Sequence, residues 1–228
     1  SCHQKSMEVL GLGNRAVRRI RCDAAHRLDV AALSAAIAED RAAGFRPACD
    51  IATAGTVNTG AIDPMHDIAD LCRHERLWFH VDGCIGALLK ISPRHVGLVA
   101  GIEGADSLAL DPHKWLHTPF DAGCAIVRDR ARHFSTFTLH GEYLEEKPRG
   151  LASAAFLADY GIDLSRSFRA LRVWMALKHY GVAKFGRLID QNIDQAAYLA
   201  DRVSRHSELE LITPPVINIV CFRYRADG

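Results

Sequence analysis

Two short apolar runs, residues 77–81 and 107–110, each break off at charged residues in a turn-forming setting. Asp82-Gly83 follows the first, and Asp111-Pro112-His113-Lys114-Trp115 follows the second. Short apolar runs bounded by Gly or Pro read as buried strands. Asp82 and Lys114 lie 32 positions apart, which suits one β-α-β crossover. Such a crossover makes its two strands parallel. Asp82 and Lys114 would then leave the sheet from the same C-terminal edge, where open α/β folds place their ligands.

The rest of the chain continues the alternation. Residues 3–13 read as the end of a helix stopped by Gly11 and Gly13, and residues 17–22 alternate apolar and basic side chains as a half-buried strand would. Asp29 is placed to cap a helix with Val30, Leu33 and Ile37 on one face, ended by Gly44. Residues 49–54 form a strand pattern, followed by the Gly-bounded polar loop 55–60. Asp63-Pro64 supplies an N-cap and a first-turn proline for a helix whose inner face is Met65, Ile68, Ala69 and Cys72. A strand is expected at 122–127, helices at 165–180 and 182–206, and a last strand at 216–224. Residues 138–163 lack sustained periodicity, and a connection of that length in a compact domain is functional or disordered. Strands and helices in alternation specify a three-layer α/β/α domain.

Composition removes several classes of function. A net charge of +1 gives no electrostatic case for nucleic acid or an anionic membrane, and no apolar run is long enough to span a bilayer. Seven scattered cysteines without a C-x-x-C pair suit reduced thiols in a cytoplasmic protein. Twelve histidines include no H-E-x-x-H motif and no ligand-spaced cluster, so no metal is expected.

Lys114 is the residue that points to chemistry. An ammonium between a buried strand and a bulky Trp is either solvated at the rim or held where desolvation lowers its pKa and frees the amine as a nucleophile toward carbonyls. The pentapeptide 111–115 resembles the pyridoxal-phosphate lysine motif of the group II amino-acid decarboxylases, the family of aromatic-amino-acid and glutamate decarboxylases. The resemblance runs from Ser1 to about Tyr224. It passes through Ala54-Gly55-Thr56, Phe79-His80-Val81-Asp82, Ala105-Asp106-Ser107, Tyr143-Leu144 and Ser167-Phe168-Arg169-Ala170-Leu171.

The resemblance implies the large domain of a fold-type-I, transferase-like pyridoxal-phosphate enzyme, with a mainly parallel sheet and one antiparallel strand at 122–127. Residues 1–228 would be that domain truncated at both ends, with an upstream segment and a small C-terminal domain missing. Pyridoxal 5'-phosphate is the implied cofactor. It supplies the electron sink that makes loss of CO2 from an amino acid feasible, while the protein supplies attachment, orientation and electrostatics. Lys114 would carry it as an aldimine, and reaction would pass through a quinonoid. Asp82 would meet the ring nitrogen. His113 would contact the phosphate or fix the cofactor's surroundings. Thr56 lies on a loop that approaches the cofactor in the family. Ser107 would reach the same region or serve as a strand-start hydroxyl, and His80 would line the site or be a structural histidine. Asp111 stands where many relatives carry Asn, a carboxylate that repels phosphate unless it points away. An ungapped match puts the family's ring-stacking histidine one position before Ser1, so His3 is not expected in that role.

Tyr143 matches the mobile-loop tyrosine that protonates the substrate carbanion, on a loop that reaches the partner subunit's active site. A homodimer with a shared site and an amino-acid substrate are therefore expected, as is an amino-acid carboxy-lyase. An aldehyde synthase on the same scaffold is the alternative among enzymes, and a non-catalytic interaction module the alternative outside them. Arg166, Arg169 and Arg172, at i, i+3 and i+6, line a basic helix face to which no role is assigned.

Overall fold

The computed structural model describes residues 2–138 and 156–225. Its centre is a four-stranded sheet in the order β1 (Cys49–Thr53), β2 (Trp78–Asp82), β3 (Ser107–Leu110), β4 (Cys124–Val127). The first two pairings are parallel and the third is antiparallel, giving a mixed α/β fold with a mainly parallel sheet. Thr53 pairs with Asp82, and Asp82 with Ala109, so the C-terminal ends of β1, β2 and β3 lie level at one edge. The antiparallel strand falls where the sequence reading expected it.

One face of β1 and β2 carries Asp50, Ala52, Phe79 and Val81, all buried. Helix α3 (Met65–Glu75) covers it with Met65, Ile68, Ala69 and Cys72, the four residues predicted for its inner face. Helix α2 (Val30–Ala42) adds Leu33 and Ile37 to the same core, and Asp29 caps it by accepting from the Ala32 amide at 3.0 Å. The opposite face carries Trp78, His80 and Asp82, which remain half-buried.

Three differences from the sequence reading have physical causes. Asp63 does not cap α3; Pro64 stands at that position, and the Asp63 carboxylate accepts from the amides of Leu28 and Thr53, both at 2.7 Å. Two otherwise open amides outbid a solvent-side cap. Residues 17–22 form no strand, only the bridge Cys22–Leu28; Arg18 pairs with Glu39 and Asp40, and Arg21 with Asp29, so their alternation serves ion pairs with α2 and its cap. The last strand shrinks to β6 (Phe222–Tyr224), paired with β5 (Leu209–Leu211) outside the main sheet. Ile217, fully buried, instead fills the space beside Gly55 and Gly60, where a Cβ would come within 2.8 Å of it.

The crossover from β2 to β3 runs through three 3-10 turns, Gly86–Ile91, Val96–Val99 and Ile102–Gly104. Helix α6 (Val182–Ser204) lies against the first of them. Its Gly186 sits so close to the Ile91 carbonyl that a Cβ would be 2.1 Å away. Helices α1 (Cys2–Val9), α4 (Arg130–Phe137) and α5 (Arg169–Tyr180) and two 3-10 turns, Asn14–Ala16 and Leu157–Tyr160, complete the described elements.

Candidate active site

Lys114 and Asp82 meet at the same sheet edge because β2 and β3 are parallel neighbours and the chain turns sharply after each. After β2, Gly83 donates to the Ala109 carbonyl at 3.0 Å, and any side chain there would strike Ala87 and Leu108. After β3, the Lys114 amide bonds to the Asp111 carbonyl and the His117 amide to the Lys114 carbonyl, at 2.9 and 3.1 Å. Trp115 and Leu116, 3% and 5% exposed, anchor this turn in the core. The backbone at Lys114 is therefore fixed from below while its side chain stays accessible.

The Lys114 ammonium lies 2.9 Å from Asp111 Oδ2. Burial works against its charge, but hydrogen bonds to Cys84 and Asp111 outweigh it and raise the pKa above the ordinary lysine value. A depressed pKa, one of the two situations open from sequence, is thus not found in this state of the protein. Asp111 explains why: its carboxylate turns to the lysine and keeps the proton on it.

Asp82 accepts from the Cys84 amide at 3.3 Å through Oδ1, and its Oδ2 lies 3.6 Å from His3 Nε2. His80, on the same face of β2, is held by Ser107 Oγ at 2.7 Å, and burial keeps its pKa below the ordinary histidine value against the pull of Asp82. Ser107 also accepts from Trp78 Nε1 at 2.8 Å. Its hydroxyl is thereby engaged with two β2 side chains, the strand-start role, and His80 has a structural partner. Thr56 Oγ1 lies 2.8 Å from Thr59 Oγ1 and accepts from the Ala61 amide at 3.0 Å, so its hydroxyl closes the 55–60 loop.

His113 sits with Nδ1 between the main-chain oxygen and nitrogen of Ala122, at 2.8 and 3.1 Å, and Nε2 lies 3.9 Å from Asp111 Oδ2. One ring nitrogen is fixed by backbone and the other faces the lysine's counter-ion. Tyr143 lies outside the described residues.

Sequence reasoning missed Cys84. Its thiol is a hydrogen-bond partner of Lys114, its amide holds Asp82, and its carbonyl accepts from the Asp111 amide at 3.1 Å. It bridges all three residues, and its position two after Asp82 was the available signal. Folding also brings one donor atom each of Cys2, His3 and Asp82 within 4.8 Å of one another, a grouping that sequence spacing does not suggest. Among the described residues no helix is long and apolar enough to cross a membrane.

The lysine and the aspartate stand at the C-terminal edge of a mainly parallel sheet, on a scaffold that matches the large domains of fold-type-I pyridoxal-phosphate decarboxylases. Solved structures agree. Oryza sativa TDC with PLP and tryptamine superposes with a TM-score of 0.90 at 32% identity, covering 97% of this chain and 46% of that one. Mouse CSAD in apo form gives 0.90 at 30% identity, over 98% and 46%. The chain belongs to the pyridoxal-dependent decarboxylases: the family described as the pyridoxal-dependent decarboxylase conserved domain matches residues 1–225. It is 40% identical to an aromatic-L-amino-acid decarboxylase of Bacillus atrophaeus over 96% of its length, and 35% identical to an L-2,4-diaminobutyrate decarboxylase of Rhizobium meliloti over 97%. It spans 46% and 44% of those relatives, about half their length.

Proposed function

We propose that this chain is the cofactor-binding part of a pyridoxal-phosphate-dependent decarboxylase that converts an L-amino acid to the amine and CO2 in the cytoplasm. The observation that carries the reading is Lys114 beside Asp82 at one sheet edge, joined through Cys84. The residues fit the cofactor. Lys114 has an accessible amine for its aldehyde, and Asp82 offers a half-buried carboxylate for its ring nitrogen. His113 turns one ring nitrogen toward Asp111, the counter-ion of the lysine. Thr56 and Ser107 are assigned supporting places around it, Thr56 by shaping its loop and Ser107 through His80. When bound, the cofactor supplies the electron sink for the bond to the departing carboxyl group.

The protein's own part is positional and electrostatic. Asp111 holds the proton on Lys114, and that proton would have to pass to solvent before the amine could react with the cofactor's aldehyde. The Asp82 carboxylate, backed by the Cys84 amide, would favour a protonated ring nitrogen. Tyr143 is assigned delivery of a proton to the substrate's α-carbon once water is excluded. A homodimer with a shared active site accompanies this reading.

The test is borohydride reduction of the full-length protein with pyridoxal phosphate, peptide mapping, and an amino-acid panel scored for CO2. The pyridoxyl group should map to Lys114; mapping to another lysine with Lys114 unmodified refutes the assignment. A second reading, an aldehyde synthase, is favoured by the likeness to Rhodiola rosea 4-hydroxyphenylacetaldehyde synthase, with a TM-score of 0.85 at 26% identity. Aldehyde in place of amine, measured in the same panel, would select it.

A further inference from the structure

Arg166, Arg169 and Arg172 have no part in the reading above; the structure starts α5 at Arg169 rather than at 165, so Arg166 falls before the helix and the three do not share one helix face. Arg166 donates to the Leu157 carbonyl at 2.6 Å. Arg169 Nη2 lies 3.1 Å from Asp121 Oδ2, with Nε 3.3 Å from Oδ1. Arg172 Nη1 lies 3.2, 3.2 and 3.4 Å from the carbonyl oxygens of Pro119, Phe120 and Asp121. Three successive carbonyls converge on one guanidinium nitrogen, and a group that keeps its positive charge at all working pH values suits their partial negative charge. Arg169 and Arg172 are therefore not a basic stripe open to an anion; they grip one turn of their own chain, while Arg166 holds Leu157.

That turn is the seat of His113. The Phe120 ring meets the His113 ring edge-on, with centroids 4.7 Å apart, and the Ala122 main chain brackets Nδ1. Residues 119–122 are thus held by α5 on one side and hold the imidazole on the other, one residue before Lys114. We propose that Arg172, assisted by Arg169, is a positioning residue that fixes the orientation and tautomer of His113 for the cofactor. The proposal rests on the functional reading above for what His113 is positioned to meet, and on the cofactor-free geometry for the positioning itself.

Two measurements test it. The first follows the His113 ring 15N and 1H resonances in the cofactor-free protein, identified by their loss in His113→Gln. These report which ring nitrogen carries the proton. Arg172→Met should move and broaden them while circular dichroism stays native, and Arg172→Lys, which keeps the charge without the planar fork, should fall between. Unmoved His113 resonances in either folded variant overturn the proposal.

The second is a double-mutant cycle on pyridoxal phosphate affinity. Arg172→Met should weaken binding about tenfold in the wild type but less than about threefold in His113→Gln, because residues acting through one another are non-additive. Equal losses in both backgrounds would mean that Arg172 supports the fold generally, and the proposal falls. A full-length wild-type protein that did not bind the cofactor would refute the functional reading, and the His113 resonances would still decide the positioning.

Discussion

Asp50 lies where a carboxylate has little reason to be, and the consequence can be worked out. It sits on β1 under α3, 7% exposed, and its Oδ2 has no hydrogen-bond partner among the described residues. Burial is the main cause of its raised pKa and the nearby Asp63 charge adds to it, taking it from 3.8 to about 6. Because the folded value lies above the unfolded one, the folded chain holds a proton that the unfolded chain has released between roughly pH 4 and 6. The stability linked to this group is fully present below pH 3.8 and is lost as pH rises through about 6. A shift of about two units corresponds to about 3 kcal/mol of destabilisation once the group is ionised in both states.

Asp50→Asn keeps the shape and cannot ionise. Urea denaturation followed by tryptophan fluorescence, at pH 4 and pH 7.5, should show the variant gaining about 2–3 kcal/mol over wild type between the two conditions. Any fixed cost of the new amide is the same at both pH values and drops out of that comparison. A stability difference independent of pH would refute the reasoning and place the Asp50 charge in contact with solvent.

Three further outcomes are expected. Asp111→Asn should let Lys114 lose its proton at lower pH, so that its labelling by a small aldehyde with cyanoborohydride rises several-fold below the wild-type transition; an unshifted pH–rate profile would separate Asp111 from the lysine. Gly186→Ala places a Cβ 2.1 Å from the Ile91 carbonyl and should cost about 3 kcal/mol by overpacking, read from the denaturation midpoint. Tyr143→Phe should lower amine output by about 10²–10⁴-fold, the scale of a lost general acid, with little change in cofactor affinity; undiminished amine would return Tyr143 to a structural role.

The elements that could be read from the sequence were those whose signal is local. The α2 cap at Asp29 and the inner face of α3 each depend on a few adjacent residues, whereas the antiparallel direction of the strand expected at 122–127 and found at 124–127 came from the resemblance. Asp63 went wrong because a good N-cap residue was claimed by amides 35 and 10 positions away, which no local rule foresees. Residues 17–22 went wrong because an alternating pattern records two chemically different faces without saying whether a strand lies alongside. At the site, the 32-residue separation fixed the meeting of Asp82 and Lys114. The partners of each, Cys84 among them, depended on turns that only the fold displays.

The same turns set the partners of the charged groups. Lys114 faces Asp111 and Arg169 faces Asp121, so each of these cations has a local counter-charge, while Asp82 lies 3.6 Å from His3. A lysine in this arrangement is stabilised as the ammonium, whereas attack on a carbonyl requires the neutral amine. On the function proposed above, a cofactor aldehyde would have to displace Asp111 from the lysine, and a phosphate placed nearby would meet its carboxylate. Asp111 would then work against loading on two counts, through the proton it keeps on Lys114 and through its own charge. Replacing it by asparagine should relieve both, and the first of these is what the Asp111→Asn labelling profile isolates.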